Sequence, residues 1–396
     1  IAIGKKGDFH KIEGGRITQL SSGLDIFDEI NNFYDALRLS DGTIAIATIR
    51  KGMVICSEDG TLLRVLDESK GYGNNTVYSL YEDNRKNLWA TLENGLSRIN
   101  ISDPISIFDK RVTLPGSIGD VAFSGDRFFV VTNFGVYSSQ LTNNAEKSVF
   151  SRYPGEIGDG WRIKKTGNDL YAVAANGLFI LRNNSAIRLD DAYSIDYLIP
   201  GEAPDVVLLS TISGLKVLKT DGSRSKVLTS FMVKGVESEL RSVVQRKKGE
   251  FWINTSTGNL IRLKFTKGFD SQPEVVTYTE KDQKIGHHPQ IIVLNGEVLA
   301  ATGKGLHFFD DKANRFVTLV SKGFIESTDP LSYPLITGFR LGMLIVYNEG
   351  NLYTVSVDIP AGSCSFNRFG RVRSSSVYRL VYDDINAPGQ LWMATS

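Results

Sequence analysis

The sequence predicts an all-β fold, a β-propeller of four-stranded blades, and three observations predict it. A segment returns along the 396 residues: a short apolar strand, a small or hydroxyl residue, a few polar residues, then Gly and usually an apolar residue. It is sharpest at Asn87-Leu88-Trp89-Ala90-Thr91-Leu92-Glu93-Asn94-Gly95-Leu96, weaker copies end at Gly7, Gly52, Gly135, Gly177, Gly214, Gly258, Gly305 and Gly350, and a cut-off copy closes the chain at 390–396. The copies recur about every 43 residues, the length of a four-stranded blade and longer than a short solenoid turn. Finally, the apolar runs are short, bounded by Gly, Asn and Asp, and almost free of helical periodicity.

Each unit opens with an alternating or apolar strand, such as Val77-Tyr78-Ser79-Leu80-Tyr81 or Leu240-Arg241-Ser242-Val243-Val244. A polar turn follows, for example Asp83 to Asn87 or Arg246-Lys247-Lys248-Gly249-Glu250, whose basic run reads as a solvated loop. The second strand carries an aromatic or aliphatic pair: Leu88-Trp89, Phe128-Phe129, Leu170-Tyr171, Phe251-Trp252 or Val298-Leu299. The recurrent Gly then supplies a positive-φ turn that a Cβ would penalise, and third and looser fourth strands complete the unit. Trp89, Trp252 and Trp392 share the middle of the second strand, where a large ring packs between blades. Trp161, at the head of a first strand, lies off that register.

Val77-Tyr78 recurs as Val377-Tyr378, 300 residues on, or about seven units. This spacing favours partial blades over 1–75, about seven blades over 76–375 and the truncated start of a further blade over 376–396, in preference to one larger ring of nine. Both chain ends read as the same strand of the unit, so the sequence is expected to be a piece of a longer protein.

Lys and Arg (45) nearly balance Asp and Glu (44), so nothing marks a nucleic-acid or anionic-membrane partner. No apolar run approaches the roughly 20 residues of a membrane span, and no membrane insertion by this segment is expected. The two cysteines, Cys56 and Cys364, are too few for a disulfide framework, and their redox state is left open. His10, His287, His288 and His307 make no metal-binding spacing, and no nucleophile elbow, P-loop or dinucleotide fingerprint is present. Neither a cofactor nor a catalytic residue is expected. The sialidase-type repeat also ends in Trp, but the stretch Asp83 to Trp89 has different spacing, and no carboxylate pair stands out among 44 acidic residues.

Candidate binding residues come from aligning the first strands, which lie innermost in a propeller and start at the channel mouth. Tyr34, Tyr78, Arg162, Arg241, Gln290 and Tyr378 fall one place into these strands, Trp161 at the head of the strand that carries Arg162 is counted with them at the channel mouth, and Asp120 and Asp196 lie close by. Such a ring is a floor for a polar ligand or a peptide loop, or else a wet channel lining with no ligand.

The stretch Asn75-Thr76-Val77-Tyr78-Ser79-Leu80-Tyr81-Glu82-Asp83, followed by Asn87 to Ile99, resembles the two-component regulator propeller repeat, Val-x-x-Ile-x-x-Asp-x-x-Gly-Asn-Leu-Trp-x-x-Thr-x-x-Gly-Leu. Asp103 to Asp109 resembles the linker between such repeats, and Val377 to Thr395 repeats the match in truncated form. Lys86 departs from the turn Gly and Arg246 from the Asp of that pattern. The resemblance implies the periplasmic or extracellular ectodomain of a bacterial hybrid two-component or triple-tyrosine sensor of Bacteroidetes-like bacteria. It further implies a downstream immunoglobulin-like triple-tyrosine domain, a membrane helix and an output domain.

The expected function is therefore a non-catalytic sensor that binds a small molecule or oligosaccharide and relays the event to a transmembrane and output region, with a homodimer in the full-length receptor. A protein-docking scaffold of a cell-envelope assembly is the first rival, and a propeller glycosidase or lyase the second.

Overall fold

The computed structural model describes residues 2–3, 8–21, 33–68, 73–84, 86–100, 113–140, 149–283, 285–327, 334–339, 342–372, 377–382 and 390–395. Among these the chain is all-β apart from one short helix, Glu280–Gln283. It forms two compact units, residues 1–114 with 141–149, and residues 115–140 with 150–396.

The first unit holds three antiparallel sheets: sheet I (residues 2–21), sheet II (33–66) and sheet III (77–100). Phe9 of sheet I packs with Ile44, Ile46, Val54 and Cys56 of sheet II. The opposite side of sheet II, with Leu39, Ala45, Ala47 and Met53, packs with Val77, Leu80, Leu88 and Ala90 of sheet III.

The second unit holds sheet IV (118–152), sheet V (160–190), sheet VI (194–232), sheet VII (240–278), sheet VIII (290–318), sheet IX (320–371) and sheet X (377–395). Sheets IV to VIII have four strands in chain order, sheet IX has five and sheet X two. In sheet IX the short strand Val320–Lys322 pairs parallel with Ser363–Arg371, the one parallel pairing among the described strands.

The second strands of sheets IV to VIII are apolar on both sides because both sides are covered. In Asp169–Ala174, Leu170, Ala172 and Ala174 face sheet IV while Tyr171 and Val173 face sheet VI, as the two-residue period of a strand requires. Val206–Thr211 repeats this, with Val207 and Leu209 toward sheet V and Val206 and Leu208 toward sheet VII. Trp252 lies among Val298, Ala300, Phe309 and Phe316 of sheet VIII, and Leu299 and Ala301 turn toward Leu344 and Val355 of sheet IX. Each Val, Leu or Phe among them, fully buried, contributes about 1.5–3 kcal/mol, and each Ala less.

The last sheet completes the circuit. Leu380 of sheet X packs on Ile345 and Leu352 of sheet IX, and on its other side Trp392 sits 4.4 Å from Phe128 and 5.6 Å from Phe123 of sheet IV. The units therefore divide differently from the expected 1–75, 76–375 and 376–396. Sheet III packs with sheet II in the first unit, and 377–395 joins the second unit rather than opening a further blade. The repeat spacing does not carry the grouping of the sheets, which depends on which faces meet.

The recurrent glycines have the expected positive φ at Gly52, Gly95, Gly135, Gly177, Gly214, Gly258, Gly305 and Gly350, whereas Gly7 lies outside the described residues. At Gly177 (φ 135°) a Cβ would come within 2.0 Å of the Asp190 carbonyl oxygen, so backbone approach as well as torsion excludes a side chain. The hydroxyl of the repeat has its own task. Thr48, Thr132 and Thr211 end second strands, are fully buried, and donate to the carbonyls of Gly52, Gly135 and Gly214 at 2.6, 3.3 and 2.8 Å, closing the turn from inside. Both cysteines are buried and unpaired, and burial pushes the Cys56 thiol up to about 12.

Candidate functional site

The inner strands share one irregularity. In seven of them the pairing with the second strand skips a residue near the start, so that Tyr34, Tyr78, Gly119, Trp161, Ile195, Arg241 and Tyr378 are bulged out of the ladder. A bulge re-aims the side chains around it and bends the strand. Gly119 is required at its place, because a Cβ there would meet the Gly160 carbonyl oxygen of the next inner strand at 2.5 Å.

The residue after the bulge does the joining. Asp35 accepts a hydrogen bond from the Leu80 amide at 2.8 Å, Asp120 from the Ile163 amide at 3.3 Å and Asp196 from the Val243 amide at 3.3 Å. In each case a carboxylate on one inner strand caps the backbone of the following one. Such charge-assisted bonds stabilise by about 1.5–3 kcal/mol each.

In the second unit three cations gather round these carboxylates. Lys164 donates to Asp196 and, at 3.2 Å, to the Tyr197 carbonyl, with its ammonium 5.3 Å from the Tyr197 ring centre. Arg379 Nε stands 3.4 Å from Asp120 Oδ1. Arg162 donates to the Trp161 carbonyl at 3.2 Å, and its buried Nε has no hydrogen-bond partner among the described residues. Burial lowers the Arg162 pKa, and the like charge of Arg379 lowers it further against Asp120 and Asp196. Lys164 is likewise lowered, by burial first and by Arg379 and Arg162 beside it. Burial would raise Asp196, but Lys164 and Arg162 outweigh it and hold the carboxyl below its usual range. The centre thus favours negative charge.

Beside this cluster opens a cavity of about 600 Å³, lined by Asp120, Lys164, Lys165, Arg379, Phe339 and Tyr382 among others. The Phe339 and Tyr382 rings meet edge to face at 4.7 Å and give it an aromatic wall.

The seven residues expected at a channel mouth are divided between the units. Tyr34 and Tyr78 belong to the first, where their exposed rings meet edge to face at 5.1 Å. Trp161, Arg162, Arg241, Gln290 and Tyr378 belong to the second. There Arg162 joins the charged centre, Trp161 packs 6.3 Å from Tyr193, and Arg241 pairs with Glu239 at 3.0 Å on the surface. Gln290 opens its strand without a bulge, opposite Ala301. The Tyr378 side chain lies outside the described residues. Lys164, Lys165 and Arg379 were missed by the strand alignment. Arg379 follows Tyr378 as Arg162 follows Trp161, so stepping one residue past each bulge would have found it.

Sheets of about four strands, packed face to face in a circuit with their first strands inward, make this an all-β propeller fold. Residues 71–94, which include the first strand of sheet III and Trp89, match the sequence model of the family described as "Two component regulator propeller". No curated protein matches the chain. Among solved structures it is similar to the WD40 β-propeller domain of Doa1, at 12% identity and a TM-score of 0.44 over 81% of this chain and 91% of that one. It is also similar to two proteins of B. thetaiotaomicron described as extracellular domains of hybrid two component systems. BT3049 is 14% identical with a TM-score of 0.37 over 98% of this chain, and BT4673 is 15% identical with a TM-score of 0.30 over 91%. The chain spans 64% and 62% of those two structures.

Proposed function

We propose that this chain is the ligand-sensing propeller portion of an extracytoplasmic bacterial signalling receptor, with the second unit a seven-bladed ring. The match of residues 71–94 to the two component regulator propeller carries the reading. An inner-strand cavity bordered by cations and aromatic rings is consistent with it. No helix among the described residues is long and apolar enough to cross a membrane, and no group of His, Cys, Asp and Glu there could hold a metal ion. The propeller binds a solute, catalyses nothing, and passes the bound state to a transmembrane and output region through differential affinity for two arrangements.

The test is a comparison of transcriptional responses to a solute panel between cells carrying the full-length parent receptor and cells in which the segment 1–396 has been deleted from it. A response lost with the segment is expected. Identical responses in both strains overturn the reading.

A further inference from the structure

The cations at the centre of the second unit exceed what its carboxylates neutralise. Arg162, Lys164, Lys165 and Arg379 stand on the first strands of sheets V and X, three of them bordering the cavity, against the carboxylates Asp120 and Asp196. Both carboxylates are engaged in structural bonds, Asp120 to the Ile163 and Val121 amides and Asp196 to Lys164 and the Val243 amide. The Arg379 and Arg162 Nε atoms are buried and have no hydrogen-bond partner among the described residues. Arg379 Nε still has the Asp120 carboxylate at 3.4 Å, whereas Arg162 Nε faces no such partner among the described residues, and a buried donor left unmatched costs about 1–3 kcal/mol, more for a charged group.

We propose that this cavity binds a cyclic organic carboxylate, its anionic group taken by Arg379 with Lys164 and Arg162 behind it, and its ring laid against Phe339 and Tyr382. Charge selects the anion, because an acceptor with two oxygens satisfies guanidinium donors that a neutral hydroxyl matches poorly. The aromatic wall selects the ring, since sugar or aromatic faces stack on such surfaces. A volume of about 600 Å³ suits a molecule of one or two rings. The proposal deepens the sensor reading by naming the chemical class of the solute, and rests on it.

The experiment is titration calorimetry on the full chain with glucuronate and benzoate, each beside its uncharged amide, glucuronamide and benzamide, and with inorganic sulfate. The expected result is that at least one carboxylate binds and its amide binds at least about tenfold more weakly. Raising the salt several-fold should weaken binding, as for an anion at a partly exposed cationic site. Arg379→Gln should abolish binding. Because it also releases Asp120, Lys165→Gln serves as a second variant that leaves the structural pairs intact, and a several-fold loss is expected. Binding of sulfate alone would replace the organic ligand with an inorganic one and overturn the ring assignment. Equal affinity for acid and amide, full affinity in both variants, or no binding by any probe would overturn the proposal. Failure here alongside a solute response lost on deleting the segment would leave the sensor reading standing. Binding here alongside an unchanged response would sink that reading instead.

Discussion

Trp89 of sheet III and Trp252 of sheet VII hold the same place in the repeat, and their surroundings differ instructively. Around Trp89, Asp83 accepts from the Asn87 amide at 2.9 Å, from the Asn87 side chain, and from Trp89 Nε1 at 2.9 Å, while Arg98 donates to Asn87 at 2.9 Å. Around Trp252 the charges are rearranged. Arg246 stands where Asp83 does, Glu250 replaces Asn87, and Glu250 takes the Trp252 Nε1 at 3.3 Å and the Arg262 Nε at 3.0 Å. The departure from the family-like pattern at Arg246 is therefore compensated at Glu250. Two different polar sets anchor one indole.

Burial separates the two more sharply. Trp252 is fully buried, stacked 5.3 Å from Tyr278 and edge to face with Phe309 at 4.6 Å, with the Arg262 guanidinium 5.7 Å from its ring centre. Trp89 is half-buried, and Tyr81 and Leu96 of the same sheet are exposed. The best-matching copy of the repeat is thus not the best-packed one. Local hydrogen bonding makes the motif recognisable, whereas a neighbouring sheet makes it a core.

Trp252→Ala should therefore cost about 3–5 kcal/mol and Trp89→Ala less than half of that, read as shifts in urea midpoint. Equal losses would break the comparison. Next in size, Glu250→Gln removes the buried one of the two carboxylates that Arg246 and Arg262 share, Asp311 remaining, and should cost about 2 kcal/mol. The matching change Asp83→Asn removes hydrogen bonds at a more open site and should cost about 1 kcal/mol. A reversed order would mean that the local set, not burial, sets the stability.

Acid provides a third contrast. His307, held between Thr302 and Thr318 in sheet VIII, has its pKa lowered to about 4, chiefly by burial. The unfolded chain takes up a proton near 6.5 while the native side chain stays neutral, so native stability falls as pH drops from about 6.5 to about 4. The loss reaches up to about 3 kcal/mol and levels off below that window. His307→Gln should flatten this segment of the stability profile, and an unchanged slope would assign it elsewhere. The smallest effect expected is on thiol chemistry. Cys56 and Cys364 should both stay unreactive toward Ellman's reagent in the native protein and release two equivalents in denaturant, because burial keeps both thiols protonated.

Much of this was legible in the sequence because it is local. The glycines at positive φ, the strand-ending hydroxyls and the apolar second strands depend on residues a few places apart, and the repeat displays them side by side. The candidate site was legible only in part. Alignment of the inner strands found Arg162, Asp120 and Asp196, but chose Tyr378 over Arg379 and passed over Lys164. The cause is the bulge: strand side chains alternate with a period of two, so one inserted residue exchanges the faces, and a linear alignment does not register it.

By itself, then, the sequence determined an all-β repeat of about 43 residues and the turn chemistry of each copy, since these follow from backbone torsion and short-range hydrogen bonds. Only the tertiary structure decided which sheets share a unit, that the two strands of 377–395 pack back on sheet IV, and that three cations collect beside two buried carboxylates. Those outcomes depend on contacts between residues as far apart as Asp120 and Arg379, which no local pattern records.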